Sequence, residues 1–122
     1  MAFMASAQHR TVLGEFKLGA DTYSQLKQKF VKTHTIATSD DTIKIANPVH
    51  SVVELKDIAV ENYYYKGNCG LLELFFGKDV LYAVRFTQGS CNDIEMNTSY
   101  YIAYFYYDKP MWKRYKKYWN AF

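Results

Sequence analysis

The sequence predicts an α+β fold, an antiparallel β-meander sheet packed by an N-terminal helix and a C-terminal amphipathic helix. Three observations predict it. Ile58 to Lys66, Leu71 to Phe76 and Val80 to Gln88 are β-rich runs joined by Gly67-Asn68-Cys69-Gly70 and Gly77-Lys78-Asp79, connectors with the residues of tight turns. Tyr23, Leu26 and Phe30 recur at helical spacing before those runs. Trp112, Tyr115, Trp119 and Phe122 do the same near the end of the sequence.

In chain order, residues 1 to 10 are expected to be a flexible N-terminus and residues 11 to 122 one domain. Ala5-Ser6-Ala7 has the small-x-small pattern of a signal-peptidase site, but no basic segment and no full apolar stretch precede it. A trimmed signal, a tag residue and an ordinary N-terminus all remain open. Thr11 to Phe16 reads as a short strand or extended lead-in. Gly19-Ala20-Asp21 opens the first helix, with Asp21 able to cap its free amides. Its polar face is Gln25, Lys27, Gln28 and Lys32, and the helix is expected to end near Lys32.

Thr35 to Thr38 and Thr42 to Ile45 read as a hairpin turning at Ser39-Asp40-Asp41 and closed by Asn47-Pro48. Residues 49 to 57 fit either a helical turn or the start of a strand. In the meander, Leu72, Leu74 and Phe76 share one face, as do Val80, Tyr82, Val84 and Phe86 on the next strand. Glu73 and Arg85 point the other way, as a candidate cross-strand ion pair. Gly89 to Asn97 is a polar loop, and Ser99 to Tyr107, dense in aromatics, favours a fourth strand. Asp108 and Pro110 supply an N-cap and a first-turn proline for the last helix.

Size and composition fit one globular domain: 122 residues, 49% hydrophobic and 22% charged, which excludes wholesale disorder. No run reaches the ~20 apolar residues of a membrane-spanning helix. The unusual quantity is the aromatic share of 18%, with 12 tyrosines among them. Tyrosine buries a large ring while keeping a polar tip, so these residues can build a core, a binding face, or both. Charge is also uneven. Of 15 basic and 12 acidic residues, Lys109, Lys113, Arg114, Lys116 and Lys117 fall after Asp108 with no acid among them, which leaves the rest slightly acidic.

Cys69 and Cys91 are the two cysteines. They are compatible with one disulfide in an oxidising compartment, hence a periplasmic or secreted setting, or with two buried thiols in the cytoplasm. Taking Phe76 to face Val80 across the turn, the register sets Cys69 opposite Thr87, with Cys91 a short bend beyond.

Several segments in this order resemble the small α+β domains of the BLIP-like group, which includes the SmpA/OmlA outer-membrane lipoproteins. They are Phe16-Lys17-Leu18-Gly19-Ala20-Asp21 leading into a helix with Leu26 and Phe30, then Tyr63-Tyr64-Tyr65, Leu72 to Phe76, and Leu81 to Phe86. The resemblance spans residues 12 to 88. Asp21 stands where that group usually has Thr, and the basic aromatic ending is not one of its hallmarks. The resemblance implies a cell-envelope protein that binds other proteins and carries no catalytic residues.

Read directly, the residues give catalysis little support. His9, His34 and His50 are widely separated, and Ser24, Ser39 and Ser90 lack a nucleophile-elbow context. Asp40 and Asp41 suit a turn. Neither a zinc-type Cys/His spacing nor a glycine-rich phosphate loop is present, so no metal or cofactor is expected.

The serious candidate is the last helix. At 100° per residue Lys113, Arg114, Lys116 and Lys117 fall opposite Trp112, Tyr115 and Trp119. Such a face suits a protein partner with an acidic surface, with nucleic acid or a membrane surface as lesser alternatives. Tyr63, Tyr65, Tyr101 and Tyr104 are candidate surface aromatics for the same purpose. They are equally the candidates for lining a cystatin-like or NTF2-like concavity that holds a small apolar ligand.

Overall fold

The computed structural model describes residues 9–34, 36–38, 43–46, 52–89 and 102–119. Its elements are β1 (Thr11–Val12), β2 (Phe16–Lys17), α1 (Tyr23–Val31), β3 (Ile36–Thr38), β4 (Ile43–Ala46), β5 (Val52–Tyr65), β6 (Asn68–Gly77), β7 (Val80–Gly89), β8 (Ile102–Tyr107) and α2 (Lys109–Trp119). All strand pairing among the described residues is antiparallel, and the chain is α+β as its sequence predicts.

The lead-in before α1 is not one strand but a small ribbon. Leu13 and Gly14 both take positive φ and fold Thr11 back onto Lys17. The N-cap of α1 is Thr22 rather than Asp21. Its hydroxyl accepts from the Gln25 N–H at 3.3 Å, and the Gln25 side chain accepts from the Thr22 N–H, a reciprocal capping box. Asp21 is used one step earlier, where its carboxylate accepts from the Lys17 N–H at 2.9 Å. The helix ends with Lys32 as its C-cap, as expected.

The main sheet runs β3-β5-β6-β7-β8, with β4 also on β5. The expected hairpin between residues 35 and 45 does not form. β3 pairs with Ile58 to Val60 and β4 with Val52 to Leu55, so both lie along one side of β5. β5 begins at Val52 and runs for 14 residues, long enough to take both short runs side by side on one edge. The stretch from 52 to 57 is therefore strand. The expected turn residues 39–41 and the closing Asn47-Pro48 lie outside the described residues.

Both meander turns are tighter than the sequence suggests. Lys66-Gly67 and Lys78-Asp79 are two-residue connections with positive φ at both positions, the mark of a type I′ turn, whose twist matches the strands it joins. Asn68, Cys69, Gly70 and Gly77 consequently belong to strands.

Two bulges decide which side chains face which way. One interrupts β5 between Val60 and Tyr63, leaving Asn62 at φ 57 and returning Tyr63 to the face of Val60. The second lies on β7, where Phe75 pairs with Ala83 but Phe76 with Leu81, so Tyr82 is the extra residue. Strict alternation would put Tyr82 beside Val84; the bulge instead sends it to the opposite face with Ala83.

The sheet is packed on both faces. On one, Leu72, Leu74, Phe76, Leu81, Val84 and Phe86 meet Leu26 and Phe30 of α1 together with Phe16 and Leu18. On the other, Leu55, Tyr82 and Ala83 meet Tyr115 of α2. Adjacent residues such as Val84 and Ala83 serve different cores, which places the two helices on opposite sides.

Candidate functional site

The candidate site is the outer face of α2, and its rigidity starts at Asp108. The Asp108 N–H donates to the Tyr82 carbonyl at 2.8 Å, its carboxylate accepts from the Met111 N–H at 3.2 Å, and its carbonyl accepts from the Trp112 N–H at 2.7 Å. The N-cap expected from the sequence thus also bolts the helix entry to β7.

The inner face of α2 is almost wholly aromatic. Tyr115 is fully buried at 0% exposure, with its ring 4.9 Å from that of Tyr82. Gly77 makes room for it: a Cβ there would stand 2.4 Å from Tyr115 Cε2. Trp119 packs on Phe75 at 4.6 Å and on Phe105 at 5.4 Å, while Trp112 reaches Phe105 at 5.2 Å and Tyr107 at 5.3 Å. The Trp119 Nε1–H also donates to the Tyr82 hydroxyl at 2.7 Å.

With that side committed to the sheet, Lys113, Arg114, Lys116 and Lys117 are all exposed on the other. None is ion-paired with a described residue; the ion pairs there are Lys29–Glu15 and Arg85–Glu73. Lys116 and Lys117 sit in the last turn, where the helix dipole favours cations. Four like charges gathered on one helix face create a local positive field. Such a face can bind carboxylate-rich or phosphate-rich surfaces through charge-assisted hydrogen bonds.

The candidate tyrosines among the described residues, Tyr63, Tyr65 and Tyr104, do not form one exposed surface. Tyr63 is core at 4% exposure, its ring 6.0 Å from Phe16 and 5.8 Å from Phe86. Its hydroxyl donates to Glu15, which also pairs with Lys29. Burial, followed by that hydrogen bond and the Glu15 charge, holds the Tyr63 pKa well above the ordinary phenol range. Tyr65 is half-buried against the same core, Tyr104 is 39% exposed on β8, and Tyr101 lies outside the described residues.

Cys69 is buried on β6 and disulfide-bonded, opposite Gly89 rather than Thr87. The tighter turn and the bulge together move the register by two residues. Cys91, the other cysteine of the sequence, lies outside the described residues.

The predicted Glu73–Arg85 pair forms with two contacts, Nε to Oε1 at 2.7 Å and Nη2 to Oε2 at 3.1 Å. The hydrogen bond to Glu73 raises the Arg85 pKa further. Sequence reasoning missed the Glu15–Lys29–Tyr63 cluster, whose members are 14 and 48 residues apart along the chain with no spacing rule to join them. Among the described residues no group of three or more His, Cys, Asp or Glu could hold a metal ion. No known protein family, curated protein or solved structure matches the chain.

Proposed function

We propose that this domain is a non-enzymatic interaction module that holds a protein partner with an acidic surface against the outer face of α2. The observation carrying the reading is the set of four exposed cations, none ion-paired with a described residue, on a helix whose other side is pinned by Trp112, Tyr115 and Trp119. A preorganised charged face steers an oppositely charged partner and loses little freedom on binding it.

The inward direction of the aromatics favours a protein over the other candidate partners. Binding single-stranded nucleic acid would use rings beside the cations for base stacking, and a membrane-surface helix would turn its apolar side to lipid. Here those rings pack on Phe75, Tyr82 and Phe105 instead. Against a Tyr-lined ligand pocket stands the packing of Tyr63 among Phe16, Phe30 and Phe86. The disulfide at Cys69 and the resemblance to the BLIP-like group support a periplasmic or secreted setting.

The test compares the parent with a variant carrying Gln at Lys113, Arg114, Lys116 and Lys117. Proteins retained by the immobilised parent are identified, and the acidic one is titrated against both forms at low and high salt. The expected result is weaker binding by the variant and a shallower salt dependence. Equal affinity of the two forms at low salt would leave α2 as a lid on the core.

A further inference from the structure

We propose that β8 is a self-association edge, at which a second copy of this chain adds its own β8 antiparallel to continue the sheet. Among the described residues β8 pairs with β7 on one side and with no strand on the other. Its row of backbone N–H and C=O groups on that side, unpaired with any described strand, is a template for another strand.

The two edges of this sheet are built differently. The β3/β4 edge is broken into runs of three and four residues, and Lys44 lies on it. Short strands and lysines are the usual means of blunting an edge. β8 is an unbroken six-residue strand, Ile-Ala-Tyr-Phe-Tyr-Tyr, with no charge, proline or glycine. Ile102 is 52% exposed, and Tyr104 and Tyr107 are also solvent-facing. Nothing in its sequence opposes pairing.

The same row explains why the occupant is a second copy. A twofold axis normal to the sheet keeps each face continuous across the junction, so like-facing residues meet. Ile102, Tyr104 and Tyr106 face the side of Phe86 and Val84, since the β7 register pairs them with Gln88, Phe86 and Val84. Antiparallel self-pairing centred on Tyr104 sets Tyr104 against Tyr104 of the second copy and Ile102 against Tyr106 of the second copy. Aromatic–aromatic and aromatic–branched pairs are favourable across strands, and a neutral strand meets no like charge in its own copy. A foreign strand would have no charge on β8 to select it.

Sedimentation or light scattering of the wild-type chain over a wide concentration range tests this. We expect a concentration-dependent dimer. The double variant Ile102→Lys, Tyr104→Lys should raise its dissociation constant about tenfold or more while its melting temperature stays near the parent's. Tyr104→Cys should cross-link to itself through a short bis-maleimide, Cys69 being already disulfide-bonded. A wild-type chain that stays monomeric throughout overturns the proposal. So does a dimer that survives the two lysines, or one whose Tyr104→Cys form does not cross-link, because either places the interface elsewhere.

Discussion

The Trp119 indole N–H donates to the Tyr82 hydroxyl at 2.7 Å, tying the end of α2 to the start of β7 across 37 residues. The bond exists because of the β7 bulge. Tyr82 and Ala83 both face α2, whereas Leu81 and Val84 on either side face α1. A regular strand would aim Tyr82 into the other core and leave Trp119 without this acceptor. Tyr82→Phe keeps the ring and deletes the acceptor, so it should cost about 1 kcal/mol of stability. Trp119→Ala also removes the contacts with Phe75 and Phe105 and should cost about 3–5 kcal/mol. Thermal or denaturant melts measure both, and a Tyr82→Phe protein as stable as the parent would show that water replaces the hydroxyl.

Gly77 and Tyr115 form the tightest fit under the helix. A methyl at residue 77 would lie 2.4 Å from Tyr115 Cε2 and 2.5 Å from Cζ, inside any tolerable contact. Gly77→Ala should therefore destabilise the protein by about 1–3 kcal/mol through overpacking. Trimming the ring with Tyr115→Leu should make the added methyl cheaper, so the two changes together should cost less than their sum. Strict additivity in that double-mutant cycle would mean that the backbone, rather than the ring, absorbs the strain.

How much of this was readable in the sequence depended on distance along the chain. Most local signals were faithful: Leu26 and Phe30 face the core, Asp108 caps α2, and the alternation of Leu72, Leu74 and Phe76 sets one face of the sheet, although the cap of α1 is Thr22 rather than Asp21. Glu73 and Arg85 were legible as sharing one face. The two-residue turn and the bulge each move the register one step in the same direction, and a shift of two keeps the face while moving the partner of Glu73 from Ala83 to Arg85. The partition of Lys113, Arg114, Lys116 and Lys117 from Trp112 and Tyr115 was legible because helical geometry fixes it. The bulge at Tyr82 was not, since Leu81, Tyr82 and Ala83 are all acceptable in a regular strand and the extra residue is chosen by packing against α2. Nor was the pairing of β3 and β4 with β5, where a local hairpin between the two short runs competes with a third strand that can take both on one edge. The role of Gly77 was hidden for a related reason. Glycine before Lys78-Asp79 looks like turn chemistry, and only the arrival of Tyr115 from far along the chain shows that it supplies space.

The start of α1 separates two adjacent polar residues by role. Thr22 and Gln25 exchange hydrogen bonds across the first turn, while Asp21 accepts from the Lys17 N–H of the preceding ribbon. Thr22→Ala should cost about 0.5–2 kcal/mol, in the range of a lost N-cap. Because the capping box is reciprocal, Thr22→Ala and Gln25→Ala should be coupled, whereas Asp21→Ala and Gln25→Ala should be additive. Coupling of Asp21 with Gln25 instead would return the cap to Asp21.

Two buried tyrosines link stability to alkaline pH. Burial raises the Tyr82 pKa from 10.0 to about 12, partly offset by the Trp119 hydrogen bond and reinforced by the charges of Tyr115 and Asp57. Tyr63 is shifted in the same direction, by burial first and then by Glu15. Below pH 10 these phenols are protonated whether the chain is folded or not, so their contribution is fully present. Between pH 10 and about 12 the unfolded chain loses the Tyr82 proton that the folded chain keeps. The unfolded state then binds fewer protons, so stability falls as pH rises through this window. Melting temperature should drop across it, and the drop should be shallower for Tyr82→Phe and shallower again when Tyr63→Phe is added. Each variant should start from a lower value below pH 10, because the hydrogen bond to Trp119 or to Glu15 is gone. Parallel alkaline slopes for parent and both variants would mean that other groups drive the loss, and that these hydroxyls ionise alike in both states.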